Sequence, residues 1–185
     1  MNHAILTDAE NRMKKSTEAL RLELVKIRTG KASTALLDGI RVDYYGTQVP
    51  LNQVASVSTP EARLITIQPW DKSMIGKIER EIQKSDLGLN PVNDGTFIRL
   101  AIPALTEERR KELVKLVRKY AEDSRIAIRN VRRDANEHLK KEEKDGKLPE
   151  DETKKLQTRN QELTDKYVKV IDEILENKEK EIMEV

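Results

Sequence analysis

Apolar and small residues recur at three- and four-residue spacing from Leu6 through Ala9, Met13, Ser16, Leu20 and Leu24 to Ile27, which predicts one helix with a single buried stripe. Thr7 and Glu10 have the spacing of a capping box, in which the hydroxyl accepts an orphan amide and the carboxylate reaches back. Gly30 supplies a stop, because glycine tolerates the left-handed conformation that ends helices, so the first helix is expected to run to about Arg28. From Lys31 the period changes to alternation. Ile40, Val42 and Tyr44 point one way, and a turn at Gly46 leads to Val49 and Leu51, which together predict a hairpin. Further strands are expected at Val54 to Val57, Leu64 to Gln68 and Phe97 to Ile102, the last opened by the turn Asn93-Asp94-Gly95-Thr96. Met74, Ile78 and Ile82 mark a short helix after Asp71.

Helical period returns at Leu105, where Thr106 is a plausible cap followed by Glu107 and Glu108, acids suited to the positive end of the helix dipole. No glycine or proline interrupts the pattern until Asp145-Gly146-Lys147-Leu148-Pro149. At about 1.5 Å per residue this second long helix makes a rod of about 60 Å. Pro149 suits a helix start, and Leu156, Leu163, Tyr167, Val170 and Ile174 form the stripe of a third long helix. The first helix cannot bury its stripe alone, so residues 1–30 and 105–185 are expected to close into a three-helix bundle, the last two helices forming an antiparallel hairpin. Residues 31–104 form an inserted α/β module with 8 basic and 8 acidic side chains. The fold class is α+β. The module is tethered at Gly30-Lys31 and at Pro103-Ala104, and those residues are the expected hinge.

Composition sharpens this picture. Charged residues make up 37% and aromatics 3%, which favours long solvated helices over a thick globular centre. The net charge is only +2, but its distribution is uneven: residues 105–140 hold 11 basic and 7 acidic side chains, and residues 141–185 hold 10 and 14. There is no cysteine, which excludes disulfides, thiolate metal sites and cysteine nucleophiles. His3 and His138 stand far apart and cannot supply a metal cluster. No apolar run approaches the roughly 18 residues of a membrane span, so a soluble, cytoplasmic chain is expected.

The candidate chemistry lies on the second long helix. Arg118, Arg125, Arg129 and Arg132 are separated by 7, 4 and 3 residues, and at about 100° per residue they occupy a strip about 60° wide. Lys111 falls on the same strip. The predicted core stripe, Leu113, Val117, Tyr120, Ser124, Ile128, Val131, Ala135 and Leu139, lies roughly 115° around the helix, so the arginines are expected to project from the bundle. Arginine presents a planar fork of donors that matches phosphate oxygens and stacks on exposed bases, which makes folded RNA one natural target. The other reading is a solvated face stabilised by pairs such as Glu122 with Arg125 or Arg129. No phosphate-binding loop, dinucleotide fingerprint, zinc motif or nucleophile elbow occurs, and the acidic runs Glu142-Glu143 and Glu150-Asp151-Glu152 lie in polar surroundings that suit solvation. His138 and Trp70 are expected to be packed. A hydrolase housed in the module lacks a recognisable nucleophile and base, and a helical adaptor for other proteins would not need aligned arginines away from its apolar seam.

Four strings are more specific: Arg28 to Thr34 (RTGKAST), Ser85 to Pro91 (SDLGLNP), Leu105 to Leu113 (LTEERRKEL) and Asn130 to Asn136 (NVRRDAN). In this order and at these separations, they resemble the bacterial ribosome recycling factors over the whole chain. The resemblance implies an L-shaped molecule like transfer RNA in outline, with a three-helix bundle and a small β/α/β sandwich. It implies a non-enzymatic monomer that binds the post-termination ribosome and, with elongation factor G, separates the subunits and releases messenger RNA and deacylated transfer RNA. It needs no cofactor of its own, because GTP is hydrolysed by the elongation factor. Carried onto this chain, the ribosomal RNA contacts of the large subunit fall on Arg132, with Arg129 and Arg133 beside it and Arg110, Arg118 and Arg125 along the same helix. Lys31 stands where the family often has arginine and Thr34 where proline is common, both at the exit of the expected hinge.

Overall fold

In the computed structural model, which describes residues 3–184, the chain forms two compact units: residues 3–29 with 107–184, and Gly30–Thr106. The first unit holds three long helices, α1 (Ala4–Val25), α3 (Glu107–Lys144) and α4 (Glu150–Met183), while α2 (Ile75–Lys84) belongs to the second. No helix among the described residues is long and apolar enough to cross a membrane.

The bundle's directions follow from its cross-links. Arg12 of α1 bonds Asp134 of α3 at 3.0 Å and the Ser124 hydroxyl donates to the Ser16 carbonyl, so these two helices run oppositely. The Tyr167 hydroxyl donates to Glu10 at 2.9 Å and the Thr29 hydroxyl to Glu181, so α1 and α4 run the same way. Between α3 and α4 the chain reverses in a tight Gly-centred stop. Gly146 has φ +74°, its N–H donates to the Glu143 carbonyl, and the Lys147 N–H reaches back to Glu142, the paired bonds that satisfy a helix's last carbonyls. The core contains Leu6, Met13, Leu20 and Leu24 of α1, Val117, Ile128 and Leu139 of α3, and Leu156, Tyr167 and Ile171 of α4. Fully burying an aliphatic side chain of this size contributes about 2 kcal/mol.

Several expectations give way at element ends and seams. The cap of α1 is His3, whose ring nitrogen accepts the Ile5 amide, so the helix starts ahead of Thr7, and the Thr7 hydroxyl donates to the His3 carbonyl instead of capping. The helix stops at Val25, short of Arg28. In α1 the buried position is Thr17, not Ser16, and in α3 it is Ala121, not Tyr120. In α4, Leu163, Val170 and Ile174 are only half-buried, while the seam takes Thr153, Asn160, Thr164 and Ile171. The threonines are tolerated because their hydroxyls turn back to their own helix, Thr153 to the Pro149 carbonyl and Thr164 to the Asn160 carbonyl. His138 is exposed rather than packed.

The second unit begins with the hairpin β1 (Arg41–Tyr44) and β2 (Thr47–Pro50), whose two-residue turn places both Tyr45 (φ 49°) and Gly46 (φ 88°) in the left-handed region that matches strand twist. Val42 is buried, but Tyr44 is 40% exposed and does not join it. Next comes a four-stranded antiparallel sheet in the order β3-β4-β6-β5, built from β3 (Ala55–Glu61), β4 (Leu64–Pro69), β5 (Pro91–Asn93) and β6 (Ile98–Ala101). The short edge strand β5 was not expected; at three residues it carries too little alternation to register. Ile65 of β4 pairs with Leu100 of β6 and Ile67 with Ile98, and all four side chains are fully buried in one cluster with Ile78 and Ile82 of α2. The turn before β6 is held by Asp94, which accepts the Phe97 and Thr96 amides and the Arg99 guanidinium, and these bonds lower its pKa to about 2.

Candidate nucleic-acid interface

All six arginines predicted as RNA contacts lie on α3, spread over about 35 Å of helix. The helix owes its length to an unbroken run without glycine or proline, and its first turn carries Glu107 and Glu108 at the positive end of the dipole. The arginines differ sharply in what surrounds them. Arg118 donates through Nε to Glu179 of α4 at 2.6 Å, and that bond raises its pKa. Arg125 reaches Asp172 of α4 at 2.6 Å and Glu122 at 3.1 Å and retains only 19% side-chain exposure. Burial works against its charge, but the bonds to Asp172 and Glu122 outweigh it and the pKa rises. Arg129 shares Glu122, whose pKa is lowered by its bonds to Arg125 and Arg129.

Arg118 and Arg125 therefore do not project freely from the bundle as their spacing alone suggests. They lean across the groove toward α4 and are neutralised there, and Glu122 holds Arg125 and Arg129 as the solvated-face reading anticipates. Lys111 pairs with Glu107 one turn earlier. Arg110 is half-buried, and its Nε is buried with no acceptor among the described residues.

Arg132 and Arg133 are different. Arg132 donates through Nη1 to the neutral amide oxygen of Gln161 at 3.1 Å, and among the described residues it forms no salt bridge. Arg133 is exposed, and Asp134 beside it is engaged by Arg12. Arg110 likewise forms no salt bridge among the described residues, but only Arg132 and Arg133 stand as an adjacent pair without one, about two-thirds of the way along the helix, so their positive potential is not cancelled locally. Below it the backbone is pinned: the Asn160 side-chain amide, fully buried, donates to the Arg132 carbonyl at 2.9 Å and to Asn136 Oδ1 at 2.8 Å. Sequence reasoning missed Asn160 and Gln161. The available signal was a polar residue falling on the three-and-four spacing of Thr153, Leu156, Asn160, Thr164, Tyr167 and Ile171.

The residues expected to flex come close together within the second unit. Gly30 has φ +78°, and a methyl group added there would meet Leu105 Cγ at 3.2 Å and the Pro103 carbonyl at 3.7 Å. Lys31, Pro103 and Ala104 are exposed. Trp70 is 67% exposed, against the expectation that it packs. A groove of about 500 Å³ beside α1 and α4 is lined by a mixture of cations and anions, among them Glu10, Lys14, Glu162 and Lys166. No group of three or more metal-ligating side chains occurs among the described residues.

A three-helix bundle carrying a locally uncompensated arginine pair, interrupted in sequence by a small antiparallel α/β unit, defines an α+β scaffold whose distinctive chemistry is on an open helix face. The model of the family described as Ribosome recycling factor matches residues 20–183. The ribosome-recycling factors of Halalkalibacterium halodurans and Exiguobacterium sibiricum are 60% and 59% identical to the chain over 185 residues, each covering all of both chains. A solution structure of ribosome recycling factor matches with a TM-score of 0.75 at 46% identity, over 98% of this chain and 96% of that one. A second match has a TM-score of 0.61 at 47% identity over 97% of each chain; it is to models of the T. thermophilus ribosome recycling factor and E. coli elongation factor G bound to the E. coli post-termination complex. The chain belongs to the ribosome recycling factor family.

Proposed function

We propose that the chain binds ribosomes left after termination and, acting with elongation factor G and GTP, promotes their separation into subunits with release of messenger RNA and deacylated transfer RNA. The observation that carries this reading is the family match over nearly the whole length, both units included. The chain is then a cytoplasmic, monomeric, non-enzymatic factor without a cofactor, and GTP turnover belongs to the elongation factor. Its bundle, residues 1–30 and 105–185, holds large-subunit ribosomal RNA through the α3 ridge, with Arg132, Arg133 and Arg129 in contact and Arg110, Arg118 and Arg125 supporting the same face. The uncompensated charge at Arg132 and Arg133 favours this assignment, since a guanidinium without a carboxylate partner can take a phosphate without first breaking an ion pair. The inserted module, residues 31–104, turns about Gly30, Lys31, Pro103 and Ala104 when the elongation factor pushes it.

The direct test mixes purified chain, elongation factor G and GTP with post-termination ribosomes and follows subunit separation by light scattering and sucrose-gradient sedimentation. Separation is expected only when all three are present. Intact ribosomes in the complete mixture reject the reading. Binding that weakens steeply with salt separates an RNA contact from an adaptor docking on protein helices.

A further inference from the structure

We propose that Gln161 of α4 is a positioning residue for Arg132, an amide relay that aims the guanidinium outward while keeping a carboxylate off it. The inference rests on the reading of Arg132 as a ribosomal RNA contact. Along the α3–α4 groove the partners of the arginine strip repeat every seven residues: Arg118 meets Glu179 and Arg125 meets Asp172. Continuing that antiparallel register brings Arg132, seven residues beyond Arg125, to the neighbourhood of Asp165. The carboxylate of Asp165 is present but does not reach Arg132. Gln161 stands between them, its Oε1 accepting from Arg132 Nη1 at 3.1 Å and its Nε2 donating to Asp165 Oδ1 at 2.9 Å. A side chain with both an acceptor and a donor can bridge a cation and an anion in this way; a carboxylate, which only accepts, cannot.

The consequence is electrostatic. A guanidinium paired with a carboxylate must give up that charge before it takes a phosphate, whereas one held by a neutral amide gives up a single ordinary hydrogen bond. The amide still restricts the long side chain, so less freedom is lost when RNA arrives. Asn160, the residue before Gln161, fixes the register that makes this possible. Its buried amide holds the Arg132 carbonyl, and its own Oδ1 is left without a partner. A buried polar group that is only partly satisfied is costly in an apolar seam, and specifying helix register is the best-attested return for such a cost. Sliding α4 by one turn would set Asp165 where Gln161 is.

The test measures ribosome affinity against salt for wild type, Gln161→Glu, Gln161→Ala, Arg132→Ala and the double variant Gln161→Glu/Arg132→Ala. Position 161 is exposed, so folding is checked by helicity and melting and is expected to hold. Gln161→Glu keeps an acceptor for Arg132 but makes it a charge, and is expected to weaken binding roughly fivefold, the upper range for an exposed ion pair, with a shallower dependence on salt. Gln161→Ala, which removes the bond without adding charge, is expected to lose less and keep the wild-type salt slope. In the Arg132→Ala background the added glutamate is expected to have no further effect. Wild-type affinity and slope in Gln161→Glu, with Arg132→Ala weakened, overturn the relay but leave the RNA contact standing. A loss from Gln161→Glu that persists in full without Arg132 also overturns it, since the new charge then repels RNA directly. Unchanged binding by Arg132→Ala overturns the underlying RNA reading instead.

Discussion

Arg125 and Arg132 stand two turns apart on one strip of α3, yet their surroundings give them opposite roles. Arg125 is tied to Asp172 and Glu122 and is four-fifths covered, so its removal strips two carboxylates of a partner and opens the α3–α4 groove. Arg125→Ala is expected to cost about 1 kcal/mol, read as a fall in melting temperature of about 2–4 °C for a chain of this length. Arg132 gives up one bond to a neutral amide, so Arg132→Ala is expected to melt within about 0.5 kcal/mol of wild type while binding ribosomes roughly tenfold more weakly, as loss of a charge-assisted phosphate bond implies. The reverse ranking, with Arg132 structural and Arg125 needed for binding, would sink the assignment. Spacing alone placed these arginines correctly on one face, because helical angle depends only on position within the helix. It did not distinguish them, because the partners that set them apart, Asp172 for Arg125 and Gln161 for Arg132, lie on α4, 47 and 29 residues further along the chain, and only the packed register of two helices decides which side chain meets which arginine.

At the scale of elements, long periodic helices and the alternating strands β4 and β6 were legible because each repeats its pattern several times. The ends were not. Thr7 with Glu10 has the composition of a cap, but His3 caps four residues earlier through its ring nitrogen, and β5 is too short to show a period. The α4 seam departs from the expected apolar stripe because Asn160 and Thr164 are polar in sequence, and bonds to carbonyls let both enter it. Tyr167 is core, as its place on the stripe predicts, and it has a second role that periodicity does not show. Its ring is buried while its hydroxyl donates to Glu10 of α1, and burial together with that bond pushes its pKa up to about 12, against about 10 for an unfolded tyrosine. A raised folded pKa contributes stability that is whole below the unfolded value and lost as pH rises through the folded one. The bundle is therefore expected to lose this tie between about pH 10 and 12. Tyr167→Phe has no proton to lose, so its melting should lie below wild type at pH 8 and the gap should close across that window. A gap that stays constant would mean the hydroxyl contributes nothing through its proton.

For the whole molecule the decisive feature is that the chain passes between its two units twice, at neighbouring points. On entering the second unit, the Ala32 amide donates to the Ala62 carbonyl at 2.7 Å; on leaving it, the Ile102 amide donates to the Arg63 carbonyl at 2.9 Å. Both passes are thus anchored on adjacent residues of the β3–β4 turn, and Gly30 lies against Leu105 just outside those anchors. The proposed hinge falls on the few residues beyond the anchors, where Gly30 holds a left-handed backbone and Lys31 and Ala104 are exposed. The chain has no cysteine of its own, so the double variant Lys31→Cys/Ala104→Cys can be joined selectively by a short thiol crosslinker. If the proposed hinge is required, the joined protein binds ribosomes like the unjoined variant, because the α3 ridge is untouched, but separates subunits with elongation factor G and GTP many times more slowly. Cleaving a reducible linker should restore the rate. Full separation by the joined form would show that the elongation factor acts through the bundle without turning the module, and loss of binding on joining would show that the ribosome itself selects among arrangements of the two units.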